Sequence, residues 1–346
     1  MAGTWLNFPF DAELFLYRWQ NLQDPTKLAM IQSGAIVPDA TIASLISNGS
    51  DVYTLPFNAA SLTGDPANYD GQTDVPVTET SGTSASGIVW GRTKGFMARD
   101  FIADYNSGAD PMGAIVARVA KYWLKQDQAH LLGILEGIFG ITGNTAWLNH
   151  IVNLATTGAA GTATVGDGNK IGETTLGDAM QVALGDNKDL FSMAIMHSRV
   201  AQNLANMQLL EYWKGTDANG IQRPLNIASC NGLTVIIDDG VPVVDSAAST
   251  GAKEYTTYLF GSGAIHTADA PVDHPVSTFR DEIKNGGQET LVTRVRKTMH
   301  PTGFSFTKPT TGYTASPTLA QLKAVANWSI VDDPKNIPMA KIVSNG

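Results

Sequence analysis

The stretch ALGDNKDLFSMAIMHSRVAQNLANMQLL (183–210), followed by NIASCNGLTVIIDDGVPV (226–243), decides how the rest of the chain is read. FSMAIMH (191–197) is a short apolar run and reads as a strand. It runs straight into SRVAQNLANMQLL (198–210), a helix with Ser198 in the capping position, where a hydroxyl can accept a backbone amide. A helix over 176–185 precedes the strand, opened by Thr175 with Asp178 three residues on. Two more strands, LNIAS (225–229) and LTVIIDD (233–239), are separated by a turn at Asn231-Gly232, and TTYLFGSGAI (256–265) continues the alternation. These elements make a compact unit of mixed helix and strand.

Toward higher numbers, TFRDEI (278–283) and TLVTRVRKTMHPTGFSFT (290–307) are joined by Asn285-Gly286-Gly287, a hairpin turn. A short helix around Leu319–Ala326 and a strand AKIV (340–343) follow. Toward lower numbers, residues 140–173 are rich in Gly, Ala and Thr and read as a loop. Before it lies the clearest element, a helix with Asp110 as N-cap and Pro111 at its first position, where a missing N–H costs nothing. Ile115, Val116, Val119, Tyr122 and Trp123 form one apolar stripe; Leu131, Leu132, Leu135, Ile138 and Phe139 form another on a different face. One helix of about 45 Å used this way is a strut packed against more than one body. The alternative is two shorter helices broken near Gln126-Asp127-Gln128.

Residues 51–103 combine β-branched and polar residues with turn formers and read as an extended hairpin, with Thr63–Asp74 as its tip or loop. The hairpin has almost no apolar cluster of its own. An isolated two-stranded ribbon is marginal in water, so something outside it must hold it. Residues 1–50 carry the aromatic anchors Trp5, Phe8, Phe10, Phe15, Tyr17 and Trp19, which need a partner surface, and a short helix begun near Pro38-Asp39.

Composition narrows the function. The 346 residues suit two moderate domains or one fold with long excursions. Only 16% are charged while 43% are hydrophobic, against roughly 25% charged in a typical soluble protein. Charge depletion marks surfaces that face protein, a hint of self-assembly. The net charge of −9 and the lack of any Lys/Arg run beyond Arg296-Lys297 speak against a nucleic-acid reader. The lone cysteine, Cys230, allows no internal disulfide and suits synthesis in a reducing cytoplasm, as a buried small hydrophobe. The opening residues lack a basic start and include Asp11 and Glu13, so no secretory signal is expected, and no apolar run approaches the length of a bilayer span.

Candidate chemistry is thin. His197-Ser198 with Asp238 or Asp239 could be read as a hydrolase site, but no G-x-S-x-G elbow surrounds Ser198 and a helix cap explains the position better. Gly261-Ser262-Gly263 fails as a dinucleotide fingerprint because His266 stands where the third glycine belongs. Asp238-Asp239 alone would chelate a cation poorly, and the six histidines show no zinc spacing. No catalytic, cofactor-binding or metal residue is expected.

The order of the parts resembles the major capsid proteins of tailed bacteriophages, with the Hong Kong 97-type fold. The most specific match is the quoted run of helix, strand ending in MHS, helix, and strand ending in DDGVP. The resemblance implies an α+β fold divided into an N-terminal arm (1–50), an extended β-hairpin loop (51–103) lying across a neighbouring subunit, a peripheral domain (104–173) with its spine helix at 110–139, an axial domain (174–275), and return strands (276–346) completing both domains. It implies a non-enzymatic shell subunit that forms hexamers and pentamers of an icosahedral head around double-stranded DNA, made in the bacterial host cytoplasm and located in the virion. Portal protein, a separate scaffolding protein and a decoration protein are the expected partners, with no membrane and no cofactor. Some members of this family cross-link through a loop lysine; here Lys94 is the only lysine in the loop and lies near its base, so cross-linking is not expected. An encapsulin-type compartment of the same fold is the alternative, and a hydrolase using His197 and Ser198 the rival from another class.

Overall fold

The computed structural model describes residues 3–5, 8–10, 34–57, 68–69, 71, 77, 83–99, 111–156, 161, 163–216, 222–247, 249 and 251–346. Two short strands, β1 (Gly3–Trp5) and β2 (Phe8–Phe10), pair antiparallel. After them β3 (Ile36–Pro38) leads into α1 (Ala40–Ile46), whose N-cap is Asp39; its carboxylate accepts the amides of Thr41 and Ile42. The helix expected near Pro38-Asp39 is this one. The strands β4 (Val52–Phe57) and β5 (Thr83–Ile88) form the expected hairpin, and β6 (Trp90–Arg99) carries the chain into the body. Apart from 68–69 and 71, the expected tip lies outside the described residues, as do the anchors Phe15, Tyr17 and Trp19 and the N-cap Asp110.

A single helix, α2 (Pro111–Ile138), spans both stripes without a break at Gln126–Gln128. Its first half lies on β6, where Phe96 meets Tyr122 edge to face. Its second half buries Leu131, Leu132, Ile134, Leu135 and Ile138 among residues of later elements. The stretch read as a loop contains α3 (Thr145–Leu148) and β7 (Ile151–Asn153). Next come α4 (Thr175–Leu184), β8 (Phe191–Met196), α5 (Ser198–Asn206), β9 (Glu211–Thr216), β10 (Gln222–Cys230) and β11 (Leu233–Ile237). Thr175 does not cap α4: the cap position is Thr174, and the Thr175 hydroxyl accepts the Gly172 amide instead. The β10–β11 turn uses Asn231 and Gly232 at φ 50° and 81°, the left-handed pair that tight hairpins require. The chain ends through β12 (Val243–Asp245), β13 (Lys253–Gly261), β14 (Ile265–Ala270), β15 (Val276–Asp281), β16 (Gln288–Pro301), β17 (Phe304–Phe306), α6 (Leu319–Lys323), β18 (Trp328–Ile330) and β19 (Met339–Ser344).

Two large sheets result, giving an α+β architecture. The eight-stranded sheet runs β7-β19-β13-β8-β11-β10-β9, with β12 on β13. Its central strand β8 is apolar on both faces because both are covered: Met193 and Ile195 pack with α2, Tyr258 and Phe260, whereas Ala194 and Met196 pack under α4 and α5. In the five-stranded sheet, β16 lies between β6 on one side and β15 then β14 on the other, with β3 outermost. Sheet membership crosses the expected boundaries. The eight-stranded sheet takes β7 from before residue 174 and β19 from after 275, while β14, inside 174–275, belongs to the other sheet.

The long helix is bound to the five-stranded sheet by polar ties. Trp123 donates its indole N–H to Thr293 Oγ1 (3.1 Å), and Lys297 meets Asp127 at 2.5 Å. His130 stacks on Trp90, donates from Nδ1 to the Gln126 carbonyl and accepts the Arg92 Nε–H on Nε2 (3.1 Å), so its ring is neutral. Farther along, glycines let α6 and β18 close in. A Cβ at Gly137 would stand 2.8 Å from the Leu322 carbonyl and the Trp328 indole nitrogen.

Candidate assembly elements

β8 and β11 run parallel with Met196 beside Ile237, so the MHS and DDG segments leave the sheet at the same end. The residues singled out for catalysis do come together there, but as a bracket. His197, not Ser198, is the N-cap of α5, because β8 ends one residue early; its Nδ1 accepts the Arg199 amide at 3.0 Å. The Ser198 amide donates to Asp239 Oδ1 (3.1 Å), and hydrogen bonds from the Ser198 hydroxyl and amide hold the Asp239 carboxyl below its usual range. A nucleophilic serine needs a free imidazole nitrogen to take its proton. Here Nδ1, 3.5 Å from the Ser198 hydroxyl, already accepts the Arg199 amide, Nε2 faces Asp239 at 3.6 Å, and the hydroxyl also bonds the Asp239 carboxyl.

Asp238 is equally occupied: it accepts the Gly240 amide at 2.9 Å and the side-chain amide of Gln128 on α2. The DDG turn therefore ties the long helix to the eight-stranded sheet. Among the described residues no group of three or more His, Cys, Asp or Glu is placed to hold a metal ion. No helix among them is long and apolar enough to cross a membrane. Cys230 is buried, and burial raises its thiol pKa.

The hairpin is anchored at its base within its own chain. Tyr53 lies so flat across the opposite strand that Gly87 has no room for a Cβ. The Thr298 hydroxyl donates to the Ile88 carbonyl (2.8 Å) and accepts from Tyr53 at 2.9 Å, so one residue of β16 holds both hairpin strands. Ser86 donates its amide to Ser305, Arg296 reaches the Gly49 and Ser50 carbonyls, and Asp51 accepts from Lys308 (2.8 Å) and Tyr313. The apolar part of this junction is Ile42, Ile46, Tyr53, Val89, Ala268 and Ala270. The expectation that the hairpin needs outside support holds, but at the base that support comes from the same chain. Lys94 lies beyond the hairpin, exposed on β6 opposite Thr293. Sequence reasoning missed Thr298, because a lone threonine in a strand carries no pattern.

One face of the five-stranded sheet is open at its far end. Phe279, Thr290 and Met97 stand in register across β15, β16 and β6, and Phe279 and Met97 are 63% and 51% exposed. Across 90–99 and 276–297 Lys and Arg outnumber Asp and Glu eight to three, whereas 58–82 carries Asp65, Asp70, Asp74 and Glu79 and no basic residue.

Comparison with known proteins gives a consistent outcome. The sequence is 30% identical over 311 residues to the "Major capsid protein" of Bacillus phage SPP1, covering 89% of this chain and 88% of the relative. No family model matches the sequence. Among solved structures, the capsid of Ralstonia phage GP4 shares the fold with TM-score 0.55 and 10% identity, covering 92% of this chain and 88% of that one. The Cyanophage Pam1 capsid aligns with TM-score 0.51 and 14% identity over 88% of each chain.

Proposed function

Given that the chain belongs to the phage major capsid proteins and is a structural subunit of a capsid shell with the Hong Kong 97-type fold, we propose that it builds the hexamers and pentamers of an icosahedral head enclosing double-stranded DNA. The observation that carries this is the 30% identity to a major capsid protein running through nearly the whole of both chains. That relative is a phage protein, which favours a head over an encapsulin-type cargo compartment. Closed shells are built by repeating the same contact between copies, and a low charged fraction suits a surface largely covered by copies.

Residues 1–50 serve as arm, 51–103 as extended loop, 104–173 as the peripheral domain with its spine helix, 174–275 as axial domain and 276–346 as returning strands. The basic excess across 90–99 and 276–297 and the 58–82 connection, whose charged residues are all acidic, are complementary, which supports the loop of one copy lying across the body of the next. Net acidity suits a container whose lining must not grip packaged DNA. Portal, scaffolding and decoration proteins are its partners during assembly in the host cytoplasm. No catalytic activity is expected from the His197–Ser198 bracket.

Negative-stain electron microscopy with sedimentation of the purified chain, alone and with neighbouring gene products, tests the reading. Shells or rings of five and six subunits are the expected result. A persistent monomer under all conditions would overturn it.

A further inference from the structure

The seam between the hairpin base and the five-stranded sheet holds two histidines that shell formation does not call for. His266 on β14 and His300 on β16 stand directly opposite one another in an antiparallel pair, so their side chains share a face. That face is the one covered by α1 and the hairpin. His266 Nδ1 lies 3.2 Å from Asp39 Oδ2, on the carboxylate that caps α1. His300 is 5% exposed, with the Tyr53 ring edge-on at 6.1 Å, and among the described residues no carboxylate pairs with it.

We propose that Asp39, Tyr53, His266 and His300 form an acid-operated catch, in which a proton arriving at buried His300 releases α1 and the hairpin base from the sheet while the eight-stranded sheet stays closed. The Asp39 carboxylate is turned to His266 and to the amides of α1, and leaves His300 without a counter-charge. A buried, unpaired imidazolium is relieved only by admitting water. The lightest cover over it is Tyr53, which the Thr298 hydroxyl and a small apolar cluster hold in place.

The other charged groups around the pair leave this logic intact. Neither α1 nor β5 carries a titratable residue, and on β4 only Tyr53 does, its phenol pushed up to about 12 by burial and so uncharged throughout. Asp269 on β14 turns to Lys297 beside the long helix, and Arg296 on β16 reaches the 49–50 turn. Burial works to raise the Asp39 carboxyl, but the Ile42 and Thr41 amides and His266 outweigh it and keep it ionised in mild acid. Burial pushes the His300 imidazole down to about 4, with His266 adding to the shift and Asp39 opposing it. In the opened state the ring regains its ordinary value near 6.5. Opening is therefore unfavourable above pH 6.5 and grows easier as the pH falls toward 4, by up to about 300-fold.

Hydrogen–deuterium exchange on the unassembled full-length chain at pH 7.0 and 4.5, corrected for intrinsic rates, reads this directly. Segments 40–46, 52–57 and 83–89 are expected to gain exchange by more than about tenfold, while 191–196 and 255–260 stay protected. His300→Phe keeps the ring against Tyr53 and should abolish the response; should that variant fail to fold, His266→Gln, which frees the Asp39 carboxylate for His300, must blunt it. An unchanged pattern, simultaneous loss of protection in both sheets, or an undiminished acid response in the variants would each overturn the catch. Because the experiment uses single chains, its outcome is independent of whether shells form.

Discussion

The eight-stranded and five-stranded sheets differ in what lies on their faces. The first is packed on both sides by apolar clusters: β8, β13 and β19 divide their residues between a layer under α4 and α5 and a layer shared with α2, with Thr256, Thr257 and Ser344 the polar side chains buried on these strands. The second is inlaid with polar groups. Thr293 and Lys297 face the long helix, Thr298, His266 and His300 face the hairpin base, and its far end is open. A sheet packed on both sides resists deformation because its close-packed residues admit few alternatives. A polar seam can exchange its bonds for water, so the second sheet is where the molecule can respond to conditions.

The largest effect that separates the two should come from Phe260→Ala, which removes a fully buried ring from the eight-stranded sheet and should lower stability by about 3–5 kcal/mol in urea denaturation. A loss below ~1 kcal/mol would mean the eight-stranded sheet is looser than its packing. Acid comes next. Burial lowers the pKa of His130 and His150 and, most strongly, His300, so each folded-state ring favours its neutral form. Their stabilisation is complete above the unfolded value near 6.5 and is lost as pH falls toward the folded values, roughly 3 kcal/mol for His300. Urea midpoints across pH 7 to 4 should flatten more in His130→Gln than in His150→Gln, since His130 also faces Arg92 across a bond that protonation breaks.

Thr298→Val should cost about 1–3 kcal/mol, because it strands the Tyr53 hydroxyl and the Ile88 carbonyl, and the added exchange should appear at 52–57 and 83–89 before 255–260. The smallest effect is expected for Ser198→Ala, a loss of at most ~1 kcal/mol with assembly unaffected. Abolished assembly in that variant would promote the MHS–DDG bracket from a local cap to a joint of the shell.

What could be read in the sequence follows the same division. The strand at 191–196 is legible because two-sided burial demands an unbroken apolar run, and α2 because Pro111 and two stripes mark it. β7 reads as loop in the sequence because three residues carry no period and its partner β19 is remote. The cap of α5 fell on His197 instead of Ser198 because adjacent polar residues can both serve and only the length of β8 chooses. The ties at the hairpin base were illegible for a deeper reason: Thr298, His266 and His300 are polar residues in strands, indistinguishable by pattern from solvent-facing ones.

The position of β19 has a consequence for timing. It lies between β7 and β13, filling one layer with Met339 and the other with Ala340 and Ile342, so β7 has no strand beside it until one about 190 residues downstream has been made. At about 5–20 residues per second, that is a wait of roughly 10–40 s, and over the last 4–16 s or so of it β13 stands with the edge that β19 covers unpaired. The nascent chain is thus barred from presenting a finished body to its neighbours, and a growing shell can recruit only subunits whose synthesis has passed this strand.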